Sequence, residues 1–226
     1  MELYENRTIY KLFGKLISIL NVSLQTLILY KVLSIKIEIL AHIISFILAY
    51  IIADFINGLV HMYMDNNDNY ESIAGPLIAS FHLHHKTPLY KKNNIFIVYF
   101  NESGSKIWLA VFLLICTTLI NVFKVDPIIV HIILYFSILS SVAEVSHYLC
   151  HVSNSKIVDA FRTVGLLLNK HHHGRHHLED NINYAFLNGI SDPLINLITK
   201  IFYKGYKNTT DKHYEYYNGK GTKNRG

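Results

Sequence analysis

Long runs of apolar residues restrict this chain to folds that place helices in a membrane. A bilayer-spanning helix needs about 20 mostly apolar residues. Four stretches approach that length: 16–33, 37–60, 107–123 and 128–149. The first is the weakest, because Asn21, Gln25 and Lys31 interrupt it. Only 16% of the residues are charged, against about 25% in soluble domains. The sequence therefore predicts an all-α integral membrane protein with about four transmembrane helices and a histidine-rich cytosolic cap.

Lysine and arginine predict how these helices are oriented. Eighteen of the 21 basic residues lie in segments 1–15, 61–106 and 151–226, and the two opposite loops contain the other three. Because cytosolic loops carry an excess of Lys and Arg, both termini and the middle segment are expected in the cytosol. The same bias accounts for the net charge of +5 without a nucleic-acid partner. The host membrane would be the endoplasmic reticulum in a eukaryote and the inner membrane in a bacterium.

The chain divides into three predicted segments. Residues 1–38 form an N-terminal segment with the first, weaker span, and residues 39–203 form a membrane domain with all but one of the histidines. Residues 204–226 are polar and rich in Gly, Lys, Asn and Tyr, which is typical of a flexible tail. The third and fourth spans are predicted to form a helical hairpin, because only a short turn at 124–127 separates them.

Histidine is unusually abundant, with 14 residues against 16 Asp and Glu together. Eleven of them fall in four places, all at or beyond the predicted cytosolic ends of the second and fourth spans. These are His61; His82, His84 and His85; His147 and His151; and His171, His172, His173, His176 and His177. Groups that are distant in sequence therefore converge on one membrane face. His42 and His131 are expected to be ordinary hydrogen-bonded helix residues, and His213 lies in the tail.

Spacing within the groups is typical of metal ligands. His147 and His151 are four residues apart, as are His61 and Asp65, so on a helix each pair shares one face. Residues 173–177 form an HxxHH set to which the same reasoning applies. A single HxxxH pair is often fortuitous, so the argument depends on the convergence of all four groups.

Adjacent histidines at 84 and 85 cannot point the same way on a helix. They suit either two metal ions, or one ligand and one residue that supports a ligand. Neutral imidazole is the commonest protein metal ligand, and a mainly nitrogen set suits iron, zinc or copper better than magnesium or calcium. The candidate metal ligands are His61, His84, His85, His147, His151, His172, His173, His176 and His177.

Carboxylates near these histidines are the candidate catalytic residues. A metal-binding His needs its second ring nitrogen fixed by a carboxylate or carbonyl. Glu144, one turn before His147, could do this, and Asp65 could do this or bind the metal itself. Asp54 is either functional or a structural carboxylate. The two cysteines are not expected to be ligands.

Two iron ions can activate dioxygen, whereas zinc is redox-inert. A di-iron centre beside apolar helices would meet a lipid tail that enters from the membrane. Hydrogen removal from an unactivated carbon needs such an oxidising cofactor, and the protein mainly positions substrate and ligands.

Several motifs follow one another in the order and spacing of a known family. ADFINGLVHMYMD at 53–65 resembles its ADF-x-x-GLVHW-x-x-D signature, and FHLHHKTP at 81–88 resembles its FREHH-x-x-P. His147 and His151 match its H-x-x-S-H pair, and HHGRHH at 172–177 matches its HH-x-x-HH.

A further segment at 184–194 fits the family's Y-C-x-x-x-G-x-x-N-P-L pattern at Tyr184, Gly189, Pro193 and Leu194. Over residues 40–200 the chain thus resembles the Kua-type lipid-desaturase family, which includes plasmanylethanolamine desaturase. The resemblance implies a di-iron, O2-dependent membrane enzyme that forms a carbon–carbon double bond in a lipid. In the plasmalogen branch the product is a vinyl ether, and a plant branch desaturates an acyl chain of phosphatidylglycerol. Electrons would come from a cytochrome b5-like or ferredoxin-like donor.

The chain departs from the family pattern at a few positions. Met62 replaces a Trp, His82 and Leu83 replace Arg and Glu, and Glu144 stands where Asn is common. These departures weaken the prediction of the substrate more than the prediction of a metal centre.

Asn181 stands where the family usually has a further histidine after the last cluster. One ligand is thus missing or replaced by a weaker one, and His171 or His82 could compensate.

Two other functions remain open at this stage. A lipid hydroxylase would use the same type of centre, because desaturation and hydroxylation diverge only after the first hydrogen is removed. A membrane metal transporter would place histidine pairs along an ion path at mid-membrane, where only His42 and His131 are candidates and are not spaced as a pair.

Overall fold

The structure is a computed structural model that describes residues 8–72, 74–86, 92–179 and 181–205. Within these ranges it consists of nine α-helices and a 3-10 turn (Ser103–Ser105), without strands. The helices are α1 (Thr8–Val32), α2 (Ile39–Asp65), α3 (Gly75–Lys86), α4 (Ile95–Glu102), α5 (Ile107–Val122), α6 (Pro127–Val152), α7 (Lys156–Thr163), α8 (Lys170–Leu178) and α9 (Asp192–Phe202). The predicted flexible tail and His213 lie outside the described residues, except for residues 204 and 205.

Three helices are long and apolar enough to cross a membrane: Tyr10–Val32 of α1, α2 and α6. A fourth candidate is a broken one, in which Ile95–Ser105 and Ile107–Val122 meet at an angle of 85°. The third span, predicted at 107–123, is therefore one arm of a bent pair and not a straight span. Its helix has 16 residues, or about 24 Å, which is shorter than the roughly 30 Å of a hydrocarbon core. The chain is thus a helical membrane protein with three to four candidate spans.

The second and fourth predicted spans are longer than the sequence indicated. Helix α2 continues past residue 60 to Asp65, and α6 continues past residue 149 to Val152. His61 and His151, which lie beyond the predicted ends of these spans, are therefore residues of the last helical turns. These two helices form the most extensive helix pair of the described residues, so they bring their histidine-bearing ends together.

The polar residues that interrupt α1 contact neighbouring helices. Asn21 is fully buried, and its amide donates to the carbonyl oxygens of Ser103 (2.9 Å) and Lys106 (3.1 Å). Irregular backbone at membrane depth is tolerated where protein groups satisfy it. Asn21 does this at the break between α4 and α5, and the weak hydropathy of the first span follows from that role.

Gln25, one turn further along α1, ties the same region to α6. Its amide donates to the Ser137 carbonyl (2.9 Å) and to Ser141 (3.0 Å), and its carbonyl accepts from Tyr99 (2.7 Å). Lys31 donates to Asn121 of α5. Each polar interruption of the span therefore has a partner within the helix bundle.

The turn at 124–127 joins α5 to α6 as the sequence predicted. Asp126 caps α6 by accepting from the Ile128 amide at 2.8 Å, and Pro127 occupies the first turn, where its missing N–H costs nothing.

His42 and His131 are hydrogen-bonded helix residues, as expected. His42 contacts the Tyr135 hydroxyl (2.8 Å), and His131 donates to the Pro127 carbonyl (2.7 Å). Although far apart in sequence, their rings also contact one another, with centroids 4.8 Å apart.

The segment between α8 and α9 is fastened to α2 by Asp54. Its buried carboxylate accepts from the backbone amides of Leu187, Asn188, Gly189 and Ser191, and from the Ser191 hydroxyl at 2.6 Å. Four of these five bonds hold backbone amides in place, so Asp54 has the structural role that the sequence left as one of two alternatives.

Candidate metal centre

Four helices bring histidines together at one end of the bundle, in two adjacent groups that could each hold a metal ion. Group A consists of His84, His147, His151, His173 and His177. Group B consists of His61, Asp65, His85 and His176. Within each group the candidate ligand atoms all lie within 4.8 Å of one another. The convergence predicted from the sequence is therefore present in the fold.

Group B is centred on the carboxylate of Asp65. Its Oδ2 lies 3.1 Å from His61 Nε2, 3.0 Å from His85 Nε2 and 3.4 Å from His176 Nε2. An ion bound at roughly 2.0–2.1 Å separates neighbouring ligands by about 3.3 Å in a tetrahedron and about 2.9 Å in an octahedron. The spacing in group B matches one such ion.

Group A consists of histidine nitrogens alone. The Nε2 atom of His173 lies 2.9 Å from that of His147, 3.0 Å from that of His151 and 3.0 Å from that of His177. His84 completes the set, with its ring centroid 4.6 Å from that of His147 and 4.9 Å from that of His177. Such close nitrogen atoms fit the first coordination shell of a cation.

Backbone carbonyls fix the orientation of two group B histidines. The Nδ1 atom of His61 lies 2.7 Å from the Tyr184 oxygen, and that of His176 lies 2.7 Å from the Ile182 oxygen. A carbonyl only accepts, so Nδ1 carries the proton in both rings and Nε2 presents its lone pair to the group. This is the support that metal-bound histidines usually have.

Burial keeps these imidazoles in the neutral form that binds metal. It lowers the pKa of His84 and His173 well below the ordinary range, and neighbouring imidazoles lower it further. The same causes lower the pKa of His176 to about 3 and that of His177 to about 2. Because a histidine must be deprotonated to bind a metal, the lone pairs are available at neutral pH.

An unsatisfied carboxylate oxygen also favours a cation at this site. The buried Oδ1 of Asp65 has no hydrogen-bond partner within the described part of the chain. Asp65 is fully buried, and a buried carboxylate is costly unless a positive charge compensates it. The residues of both groups therefore fit metal ions.

The two adjacent histidine pairs divide between the groups. His84 belongs to group A and His85 to group B, as the two-metal interpretation of that pair predicts. In α8, His177 belongs to group A and His176 to group B. Contrary to the sequence prediction, the histidines at 173, 176 and 177 thus do not all lie on one face of the helix. Only residues 173 and 177 point into the same group.

One predicted metal ligand, His172, lies outside both groups. Its Nε2 is 2.6 Å from Asp192 Oδ2 at the start of α9, so its ring is turned away and joins two helices. His82 is not in either group: it contacts the Tyr70 hydroxyl, and its Nε2 donates to the Asp65 carbonyl at 2.9 Å. His171 is exposed. Neither His82 nor His171 therefore substitutes for a missing ligand.

Asn181, at the position of the expected additional histidine, also faces elsewhere. Its backbone has a φ of 60°, a conformation that Asn tolerates well. Its amide donates to the Tyr203 carbonyl at 3.1 Å, and its oxygen accepts from Tyr184. Asn181 thus stabilises the loop after α8, and the two groups form without it.

Glu144 does not orient His147 as the sequence predicted. Its Oε2 lies 3.9 Å from His147 Nδ1, which is beyond hydrogen-bonding distance. Its Oε1 instead pairs with Lys106 at 2.7 Å, and Lys106 also donates to Asn57. The sequence indicates only that Lys106 is a basic residue of the cytosolic segment, since its burial depends on the break between α4 and α5.

Phe186 was not predicted, and it contacts both groups. Its ring stacks on His147 with centroids 4.8 Å apart and lies 4.6 Å from the ring of His61. An apolar ring at this place excludes water from the histidines that it covers. Cys116 and Cys150 lie outside both groups, as expected.

Comparison with known proteins agrees with this architecture. A family model described as a lipid desaturase domain matches residues 50–205, a range that includes every member of groups A and B. Searches of curated proteins and of solved structures found no significant match. The family resemblance read from the motifs is confirmed, and this chain belongs to the lipid desaturase family.

Proposed function

We propose that the chain is a membrane di-iron lipid desaturase that uses O2 as co-substrate. The observation that carries this proposal is the pair of adjacent ligand groups in a chain of the lipid desaturase family. The best single candidate for its reaction is formation of the plasmalogen vinyl ether from plasmanylethanolamine. The choice rests on the resemblance of the chain's motifs to a family that includes plasmanylethanolamine desaturase.

The reaction would remove one hydrogen from each of two adjacent carbons. Together with two electrons and two protons from outside, these hydrogens reduce O2 to two molecules of water. When bound, the two iron ions would supply the capacity to activate O2. A cytochrome b5-like or ferredoxin-like donor would supply the electrons.

The protein residues would hold and shield the centre. Groups A and B would ligate one ion each, with Asp65 as a direct ligand in group B. The Tyr184 and Ile182 carbonyls would keep two histidines oriented, and Phe186 would keep water from the histidine faces that it covers. Rigid positioning of this kind is the main contribution that a protein makes to cofactor chemistry.

The positive charges support an orientation in which both termini and the metal groups face the cytosol. A soluble electron donor could then reach the centre, and a lipid could reach it from the bilayer. The membrane would be the endoplasmic reticulum in a eukaryote and the inner membrane in a bacterium.

Expression of the chain in cells that lack plasmalogens tests the reaction. We expect lipid mass spectrometry to show vinyl-ether lipids, at a mass two hydrogens below their alkyl precursors. An inactive variant, His147→Ala, provides the control. Failure to form any lipid product that depends on O2 and NADH, despite bound iron, would refute the proposal.

The same mass spectra distinguish the alternatives. Loss of two hydrogens from acyl chains would indicate an acyl-lipid desaturase of the phosphatidylglycerol type, and gain of one oxygen would indicate a hydroxylase. Metal uptake into proteoliposomes that His173→Ala leaves unchanged would indicate a transporter.

A further inference from the structure

Two segments beside α8 turn back along the bundle, away from the metal groups and toward the middle of the spans. The first joins α7 to α8, and its Leu166 carbonyl accepts from the Tyr50 hydroxyl of α2 at 2.7 Å. The second joins α8 to α9, and four of its backbone amides within residues 187–191 donate to Asp54 of α2. Asp54 precedes His61 of group B by seven residues, or about 10 Å along the helix axis. Both segments therefore lie well behind the metal groups along α2.

This part of α2 lies within the length that crosses a bilayer. Helix α2 begins at Ile39, directly after the charged Glu38. A hydrocarbon core of roughly 30 Å takes about 20 helical residues, and Asp54 is only the sixteenth residue of the helix. A core that begins at Ile39 extends past Asp54. The two segments are thus at a depth that lipid chains reach.

Side chains satisfy the irregular backbone of both segments. The Ser146 hydroxyl of α6 donates to the Leu187 carbonyl (2.7 Å) and accepts from the Leu168 amide (2.9 Å). The Asn188 side chain donates to the Gly165 carbonyl at 2.7 Å and so joins the two segments. These bonds add to the carboxylate contacts described above. Non-helical backbone at membrane depth needs such partners, because no water is present there to provide them.

The outer face of α9 and of the turn before it is apolar, although no described part of the chain covers it. Its residues recur at spacings of four, three and four, as on one face of a helix, and each is more than half exposed. They are Ile190, Leu194, Leu197 and Ile201. The opposite face, with Ile195 and Thr199, is buried against α2. The amphipathic pattern of α9 is therefore exhausted neither by the protein core nor by water.

Helix α7 has its polar side turned inward. Arg162 is 7% exposed and donates to the Leu149 carbonyl of α6 at 2.6 Å. The outward side has apolar residues at spacings of four and three. They are Ile157, Phe161 and Val164. A surface helix of a protein in water has the reverse arrangement, so the environment of this face is apolar.

We propose that the outer faces of α7 and α9, with the two segments that join them to α8, are inserted into the membrane and covered by lipid acyl chains. The exposed Ile51 and Ile52 of α2 lie at the same level, so the lipid-facing surface of that span continues onto the two segments. The proposal rests on the membrane setting of the chain and not on its reaction.

The charges favour lipid over a second protein as the occupant. Residues 163–169 contain no charged side chain, and residues 181–199 contain only Asp192, which is buried. A protein interface has a polar rim around its apolar centre. Here the exposed charges are lysines that directly follow each stretch, Lys170 and Lys200. Lysines in such places suit the level of the lipid headgroups.

Insertion of these segments would set the level of the metal groups. His61 is the 23rd residue of α2, about 34 Å from its start, and so lies just beyond a core of roughly 30 Å. The metal groups would then lie at the headgroup level with acyl chains directly behind them. A lipid chain could approach them without leaving the bilayer.

Photolabelling of the wild-type chain in proteoliposomes tests the insertion without any variant. An apolar diazirine dissolved in the bilayer forms a carbene on irradiation and inserts into the residues that it touches. Trypsin separates the two segments as peptides 163–170 and 176–200. We expect label in both peptides, and within the second on residues 187–199. Label on α2 but on neither peptide would overturn the proposal.

Tryptophan quenching tests the α9 face at one position. Trp108→Phe removes the only tryptophan, and a new one is then introduced by Leu194→Trp. Ile51→Trp is the lipid-facing reference, and Glu71→Trp, at an exposed position beyond the end of α2, is the water-facing control. We expect phosphatidylcholine with brominated chains to quench Leu194→Trp to a similar extent as Ile51→Trp. Acrylamide in the water should quench only Glu71→Trp.

Two results at Leu194→Trp would contradict the proposal. Quenching by acrylamide alone would place this face of α9 in water. Protection from both quenchers would show that protein covers it, either a second copy or another part of this chain. Iron content and lipid products are measured separately. A chain that desaturates lipid while its α9 face is not in contact with acyl chains would refute the insertion and leave the proposed function intact.

Discussion

At the scale of single residues, neighbouring histidines serve different groups. Consecutive residues on an α-helix point about 100° apart, so His84 and His85 diverge into groups A and B, as do His177 and His176. Each of α3 and α8 therefore contributes to both groups. Two groups built from shared short helices can lie close together, as the proposed two-metal centre would require.

The effect of a substitution in α8 should depend on which way the side chain points. His176→Gln removes a group B ligand, so we expect bound iron to fall by about half and lipid turnover to be lost. His172→Gln is the matched control, because that ring contacts Asp192 outside both groups. Iron content and turnover of the two purified variants check this. An equal loss of iron in the two variants would contradict the assignment of His176 to group B and of His172 to neither group.

Sequence spacing predicted part of this site. It identified His147 and His151 as a pair, because i,i+4 geometry is local. It did not separate His172 from His173, because that difference depends on Asp192 from another helix. The role of Lys106 was also hidden, since a count of positive charges carries no information on burial.

At the scale of helices, the close contact of α2 with the segment before α9 depends on Gly58. A Cβ atom at this position would lie 2.4 Å from Ile195 Cδ1 and 3.2 Å from the Cα of Ala185. His61 follows one turn later, and its ring is oriented by the neighbouring Tyr184 carbonyl. Gly58 therefore sets the distance on which group B depends.

Gly58→Ala should lower the free energy of unfolding by about 1–3 kcal/mol, because the added methyl group forces the packed backbone apart. Ile195→Val removes the Cδ1 atom and should restore part of this loss in the double variant. Thermal denaturation in detergent of the wild type, the two single variants and the double variant measures the coupling between residues 58 and 195. An unchanged melting temperature of Gly58→Ala would show that the packing around residue 58 has room for a methyl group.

Helix positions were predictable from hydropathy, but the break at Lys106 was not. The apolar stretch at 107–123 has the composition of a span, whereas the bend depends on contacts such as those of Asn21 with the Ser103 and Lys106 carbonyls. A contact between helices more than 80 residues apart in sequence has no local signal.

At the scale of the whole molecule, the buried neutral histidines make stability depend on pH. In the unfolded chain a histidine has a pKa of about 6.5, whereas in the folded protein that of His176 is about 3. Between these values the unfolded state binds more protons, so the free energy of unfolding decreases as pH falls.

We therefore expect the metal-free protein to melt at a lower temperature at pH 5 than at pH 7.5. Thermal denaturation in detergent across this range measures the effect, and His177→Gln should reduce it, since the folded-state pKa of His177 is also low. Equal melting temperatures at the two pH values would show that the histidines are not buried in their neutral form.

If both ligand groups bind metal as proposed, one chain holds two metal ions, one in each group. Quantification of iron and protein in the purified, reconstituted wild-type chain tests this most directly. We predict about two iron ions per chain, as expected of two nitrogen-rich sites that suit a redox metal. Fewer than one iron ion per chain would contradict it.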